Sequence, residues 1–167
     1  TLLIEVEKFS DNRGYFMESW NNLRFGLPAF VQDNHTFSIK GVLRGLHYQY
    51  PDNTQGKLVR CTNGTVYDVI VDLRENSNSF GKWFSVKLDR PELELWIPPG
   101  IAHGFYTCSE SSDFQYKVTE YYDPKSEKVL LWNDKDVGIV WPFNDFPIMS
   151  DRDLKNAKTF RESDKFS

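Results

Sequence analysis

Two side chains able to do chemistry, Arg44 and His47, sit in the run GVLRGLHYQ (residues 41–49), which otherwise reads as a buried strand through Val42, Leu43, Leu46 and Tyr48. A histidine titrates near neutrality and can exchange a proton. An arginine presents a forked, permanently charged donor to an anion. Three positions apart on a regular strand, the two face opposite ways. Gly45 lies between them, and a glycine inside a strand often marks a bulge, which shifts the side-chain parity by one. A bulge there turns both groups into one cavity. The alternative is an exposed arginine and a hydrogen-bonded core histidine.

The remaining reactive groups narrow the chemistry. The chain has two cysteines, Cys61 and Cys108, each in a strand-like context and with no CxxC pair. That reads as two free thiols in a reducing, cytoplasmic setting. Net charge is −4 and no cluster of Lys and Arg appears, which speaks against nucleic acid. An anionic ligand then depends on a few locally placed cations. No stretch approaches the ~18 consecutive apolar residues of a membrane span, and Glu5, Glu7 and Lys8 make the opening residues unlike a signal peptide.

These groups must be positioned by β structure. Short segments rich in Val, Ile, Thr and aromatics are expected to form strands at 2–8, 15–20, 29–38, 41–49, 57–62, 65–74, 82–88, 93–97, 103–107, 113–122 and 129–132. Turn clusters such as SDNRG, PDNTQG and ENSNSFG separate them. This spacing predicts one all-β domain over 1–167, an antiparallel sandwich or barrel, with a helical turn or two at 20–25 and 150–158. Ser150 in SDRD reads as an N-cap, and the tail 159–167 as a loose end. In TVYDVIVDLR, Tyr67, Val69, Val71 and Leu73 form a core face. The opposite face, Val66, Asp68, Ile70 and Asp72, mixes apolar groups with carboxylates and is expected to meet water or a polar cavity.

In order along the chain, GVLRGLHYQ, QGKLVRC, VDLREN, WIPPGIAHGF, YKVTEYY, LWNDKDVGIVWP and SDRD resemble the dTDP-4-dehydrorhamnose 3,5-epimerases, the RmlC-type sugar nucleotide epimerases, from about residue 4 to 154. The resemblance implies a cupin-like jelly roll, a homodimer, a dTDP-linked sugar substrate and no metal or organic cofactor. It implies His47 as base, Asp153 as its carboxylate partner, Tyr116 as acid and Lys57 beside the keto oxygen. It implies substrate contacts at Arg13, Glu18, Gln32, Asp33, Asn34, Arg44, His103, Glu127 and Arg152, and a base-stacking aromatic at Tyr122. Lys128, directly after Glu127, departs from the family pattern of a glycine there. Apart from the resemblance, Tyr116 reads first as a bonded core phenol, Lys57 as a solvated strand end and His103 as a turn residue.

The chemistry so implied is coherent. A 4-keto sugar has acidic hydrogens at C3 and C5. Inverting either centre takes a base on one face, an acid on the other and a positive donor at the enolate oxygen. Rival readings are a metal-dependent cupin enzyme, a non-catalytic sugar-nucleotide binder, and an epimerase of C3 alone or of another nucleotide keto sugar. Against the first, the chain has only His35, His47 and His103 and no HxH pair.

Overall fold

A computed structural model describes residues 1–167. Thirteen strands and one short helix follow in chain order. The N-terminal strands are β1 (Leu2–Glu5), β2 (Lys8–Asp11), β3 (Gly14–Met17) and β4 (Gln32–Ile39). The central ones are β5 (Leu43–Gln49), β6 (Lys57–Asn63), β7 (Val66–Asp72), β8 (Trp83–Leu88) and β9 (Leu93–Ile97). The last part holds β10 (Ile101–Thr107), β11 (Ser111–Val118), β12 (Glu127–Leu130), helix α1 (Asp151–Asn156) and β13 (Ala157–Lys158). The expected strand 2–8 is broken between β1 and β2, and the segment at 20–25 is a hydrogen-bonded turn rather than a helix.

Two sheets face each other as a jelly roll. One has the order β1-β9-β6-β11-β4 and the other β13-β12-β5-β10-β7-β8. Every pairing in them is antiparallel except β12 with β13. β2 and β3 form a separate hairpin. Val59, Cys61, Ile70, Leu95, Phe105 and Phe114 belong to the core between the sheets.

A second apolar layer lies on the outer face of the six-stranded sheet. Leu46, Val69, Val71, Leu73 and Leu130 are covered there by Trp141, Phe160 and Phe166. Both faces of β7 are therefore buried. The expectation that Val66, Asp68, Ile70 and Asp72 meet water or a polar cavity is corrected in part: Val66 and Ile70 are core, while Asp68, 0% exposed, meets His103 of the cavity wall rather than water. Alternation along one strand reports two environments, but it does not tell a solvent layer from the gap between two sheets.

The tail 159–167 is also not loose. Phe166 exchanges backbone hydrogen bonds with Leu73 and Glu75, and Ser163 is buried. Its two phenylalanines supply the apolar area that holds it down.

β5 carries the bulge expected at Gly45. Across the β5–β10 ladder, Arg44 pairs with Phe105 and His47 with His103, so three steps on β5 oppose two on β10. Gly45 has φ +111°, a region that side chains resist. A Cβ on Gly45 would stand 2.6 Å from the His103 carbonyl oxygen, and one on Gly104 would stand 2.5 Å from that of Arg44. Two facing glycines thus let the bulged strand lie against its neighbour.

Candidate active site

A cavity of about 360 Å³ opens between the sheets, a size usual for small-molecule sites. Each wall comes from a different strand, so the site depends on the register of the whole sandwich. β5 supplies Arg44 and His47, β6 Lys57, β10 His103, β11 Tyr116, and β4 Gln32, Asn34 and Thr36. Arg44 and His47 do face one cavity, as the bulge requires.

His47 Nε2 lies 2.8 Å from Asp153 Oδ1. Asp153 stands behind the histidine rather than on the cavity wall. The Ser150 hydroxyl accepts the Asp153 amide and caps the first turn of α1, which fixes the carboxylate toward β5. Burial pushes the Asp153 carboxyl up. The hydrogen bond and charge of His47, with the backbone of Gly45, outweigh this and hold it below the ordinary carboxylate range. An ionised carboxylate only accepts, so Nε2 carries a proton and Nδ1 is the open nitrogen of His47.

Lys57 is buried at 7% exposure and donates one hydrogen bond, 3.1 Å, to the His47 carbonyl. Burial pushes its ammonium down to about 8, against the pull of Glu127 and Asp68. Burial raises the Tyr116 phenol, opposed by the Arg44 charge. Tyr116 makes no side-chain hydrogen bond, so its hydroxyl is available to a ligand. Arg44 is steadied by the Ser38 hydroxyl at 3.0 Å and the Phe37 carbonyl at 3.2 Å.

At the mouth, Arg152 is ion-paired with Glu127 and donates to the Tyr122 hydroxyl at 2.9 Å. The Tyr122 amide donates to Gln32 Oε1 at 3.1 Å, and Gln32 donates to Asn34 at 2.8 Å. This couples an exposed aromatic to a basic group, a combination suited to a base and its phosphates. Lys128 points away from the cavity and donates to the Lys125 carbonyl.

Three expected contacts are not brought to this cavity. Alternation along β4 sends Gln32 and Asn34 inward and Asp33 outward, where it pairs with Lys117 at 2.6 Å. Arg13, in the β2–β3 turn, pairs with Asp11, and Glu18 pairs with Arg24. Both lie on the exposed N-terminal hairpin region.

Thr36 and Gln55 were not singled out from sequence, and Asp68 only as a carboxylate on the mixed face of TVYDVIVDLR. Thr36 and Gln55 line the cavity, and Asp68 lies 2.8 Å from His103 Nε2. The signal for Asp68 was present, a carboxylate on a strand otherwise fit for a core. For Thr36 and Gln55 no comparable signal exists.

The family model described as dTDP-4-dehydrorhamnose 3,5-epimerase matches residues 1–162. The dTDP-4-dehydrorhamnose 3,5-epimerase of Salmonella typhimurium strain LT2 is 51% identical over 158 residues, covering 91% of this chain and 86% of the relative. A crystal structure of the Legionella pneumophila epimerase in complex with dTDP-4-keto-L-rhamnose superposes with TM-score 0.92 at 44% identity, covering 97% of this chain and 88% of that one. A 3′-monoepimerase from Streptomyces bikiniensis in complex with dTDP-quinovose superposes with TM-score 0.85 at 32% identity, over 95% of this chain and 83% of that one. Similarity of this extent, in sequence and in both sheets, makes the chain a member of the dTDP-4-dehydrorhamnose 3,5-epimerase family.

Proposed function

We propose that this jelly roll, residues 1–167, inverts C3 and C5 of a nucleotide-linked 4-keto-6-deoxy sugar, converting dTDP-4-dehydro-6-deoxy-D-glucose into dTDP-4-dehydro-L-rhamnose. The observation that carries this reading is the His47–Asp153 pair on one wall of a cavity whose other walls hold Tyr116 and Lys57. His47 Nδ1 takes the proton from the carbon next to the ketone. The electron pair moves onto O4, where the Lys57 ammonium meets the developing charge. Asp153 stabilises the imidazolium without taking its proton. Tyr116 returns a proton from the opposite face. Each inversion removes one C–H proton and adds one, so no oxidant, reductant or group carrier enters the balance.

Arg44 and Arg152 answer the diphosphate, and Tyr122 stacks on the base. Gln32, Asn34, His103 and Glu127 complete the ligand's polar contacts. The chain acts as a homodimer. Support comes from the exposed apolar side chains on the edge strand β1 (Leu2 57%, Leu3 55%) and on the hairpin (Phe9 55%, Phe16 68%). In that assembly Arg13 and Glu18 reach the second copy's cavity. No helix is long and apolar enough to cross a membrane, and two free thiols, Cys61 and Cys108, suit the cytoplasm.

Incubation with dTDP-4-keto-6-deoxyglucose in D₂O tests the reading. Deuterium at both C3 and C5 of an inverted product is expected. Label at C3 alone makes this a monoepimerase. No label at either carbon overturns epimerase chemistry on this sugar.

A further inference from the structure

Glu127, on β12, is shared by two cations of the cavity. It is ion-paired with Arg152 of α1 and accepts from the Tyr122 hydroxyl at 3.3 Å. Arg152 donates to that same hydroxyl at 2.9 Å. The second cation is Lys57, on the same cavity wall. Burial pushes its ammonium down, and the charge of Glu127, ahead of that of Asp68, pulls it back up. Exposure falls along the row. The Arg152 side chain is 52% exposed and that of Glu127 17%, while Lys57 is 7% exposed.

The carboxylate is bonded to the outer cation only. Lys57 gives its one hydrogen bond to the His47 carbonyl. A carboxylate neutralised by a guanidinium acts weakly on its other neighbours, and one set free in a dry site acts strongly. Arg152 is also the cation that an arriving phosphate meets first. Phosphate oxygens offer its fork the same geometry as a carboxylate. Ligand and Glu127 therefore compete for one guanidinium. The other titratable groups around Lys57 are Asp68 from β7, His47 from β5, His103 from β10 and Tyr116 from β11. The side chains that Arg152 touches are Glu127 and Tyr122, so the route from phosphate to ammonium runs through Glu127.

Resting on the epimerase reading above, we infer that Glu127 couples nucleotide binding to catalysis: the diphosphate draws Arg152 away, and the freed carboxylate becomes the counter-charge of Lys57 during the reaction. Glu127 is in this role a positioning residue that acts through Lys57. The charge that meets O4 is secured only once the nucleotide is seated. A part of the ligand remote from the reacting carbons thus sets the electrostatics at them.

Binding of dTDP at pH 8, followed by calorimetry in two buffers of different ionisation enthalpy, counts the protons taken up. The probe brings the diphosphate without the sugar. Lys57 is about half-protonated at that pH. A rise of about one unit in its pKa draws in about 0.4 of a proton. That uptake is expected in the wild type and is expected to vanish in Lys57→Met and in Glu127→Gln. In turnover, the alkaline limb of kcat should lie about one unit above that of kcat/KM, because the two report the bound and the free enzyme. In Glu127→Gln the two limbs should coincide, which loss of a ligand contact or of packing alone does not produce. An uptake that survives in Glu127→Gln assigns the effect to the charge of the diphosphate itself and overturns the proposal, as does dTDP binding with no uptake in the wild type. Should Glu127→Gln not fold, Arg152→Gln decides. Its carboxylate is already free, so uptake should be lost and the kcat/KM limb should start at the higher pH; undiminished uptake refutes the coupling. Wild-type protein that leaves the 4-keto sugar unlabelled in D₂O defeats the epimerase reading instead, and the dTDP calorimetry still decides the coupling.

Discussion

Replacing Lys57 by methionine should make the protein more stable and nearly inactive. The ammonium sits at 7% exposure with one hydrogen bond, to the His47 carbonyl. Burial holds it near 8, against an ordinary lysine value of ~10.4. At ~1.36 kcal/mol per pH unit, keeping the charge in the folded state costs about 3 kcal/mol. Methionine has a similar length and no charge, and loses the one hydrogen bond, worth about 1 kcal/mol. The net gain is about 2 kcal/mol, or roughly 4–8 °C in Tm for a chain of this size.

The sign depends on pH in a defined way. Below about 8 both the folded and the unfolded wild type hold the proton, so the variant's advantage is full. Between there and ~10.4 only the unfolded chain holds it, and the wild type gains stability as pH rises. The advantage therefore shrinks across that window. Urea denaturation of both proteins at pH 6.5, 8.5 and 10, at one fixed protein concentration, measures it. Turnover should fall by about 10²–10³-fold, as for loss of an oxyanion donor. A variant no more stable than wild type at pH 6.5, or an advantage that ignores pH, would refute the reasoning.

Further expectations concern the same walls. His47→Ala should stop both conversion and D₂O exchange. Tyr116→Phe should stop inversion yet leave measurable exchange, each change costing about 10²–10⁴-fold; near-normal turnover in either is the contrary result. The alkaline limb of kcat/KM in the wild type should fall near pH 8, as Lys57 loses its proton, and a flat profile from pH 7 to 9.5 would remove that group from the chemistry. Gly45→Val places a Cβ against the His103 carbonyl from a left-handed backbone. It should lower stability as well as kcat, and a variant with wild-type Tm would show that the bulge rearranges freely.

The outline of this molecule could be read from its residues because the rules involved are local. The Gly45 parity argument needed only one glycine and the two-residue period of a strand, and the ladder register bears it out. What escaped was set by packing at long range. For Asp68, water and a polar cavity stayed equally open because alternation names two faces without saying what covers either. Phe160 and Phe166 looked like a frayed tail because their partners, Leu73 and Tyr48 among them, lie far back in the chain. Asp33 followed its neighbours Gln32 and Asn34 in the motif, yet the pleat sends it to the opposite face.

His47 and Asp153 are separated by 106 residues of chain. During synthesis at ~5–20 residues per second, the base exists for about 5–20 s before its carboxylate is made. The aspartate then has to wait for Ser150 to cap α1 and for β13 to close beside β12. Both sheets can be largely complete while the proton-transfer pair is still absent. Activity is therefore the latest signal of a finished fold, and in refolding it should lag the recovery of circular dichroism. Any cut before α1 removes Asp153 together with Phe160 and Phe166, so the base loses its partner and the outer face of the six-stranded sheet loses its cover.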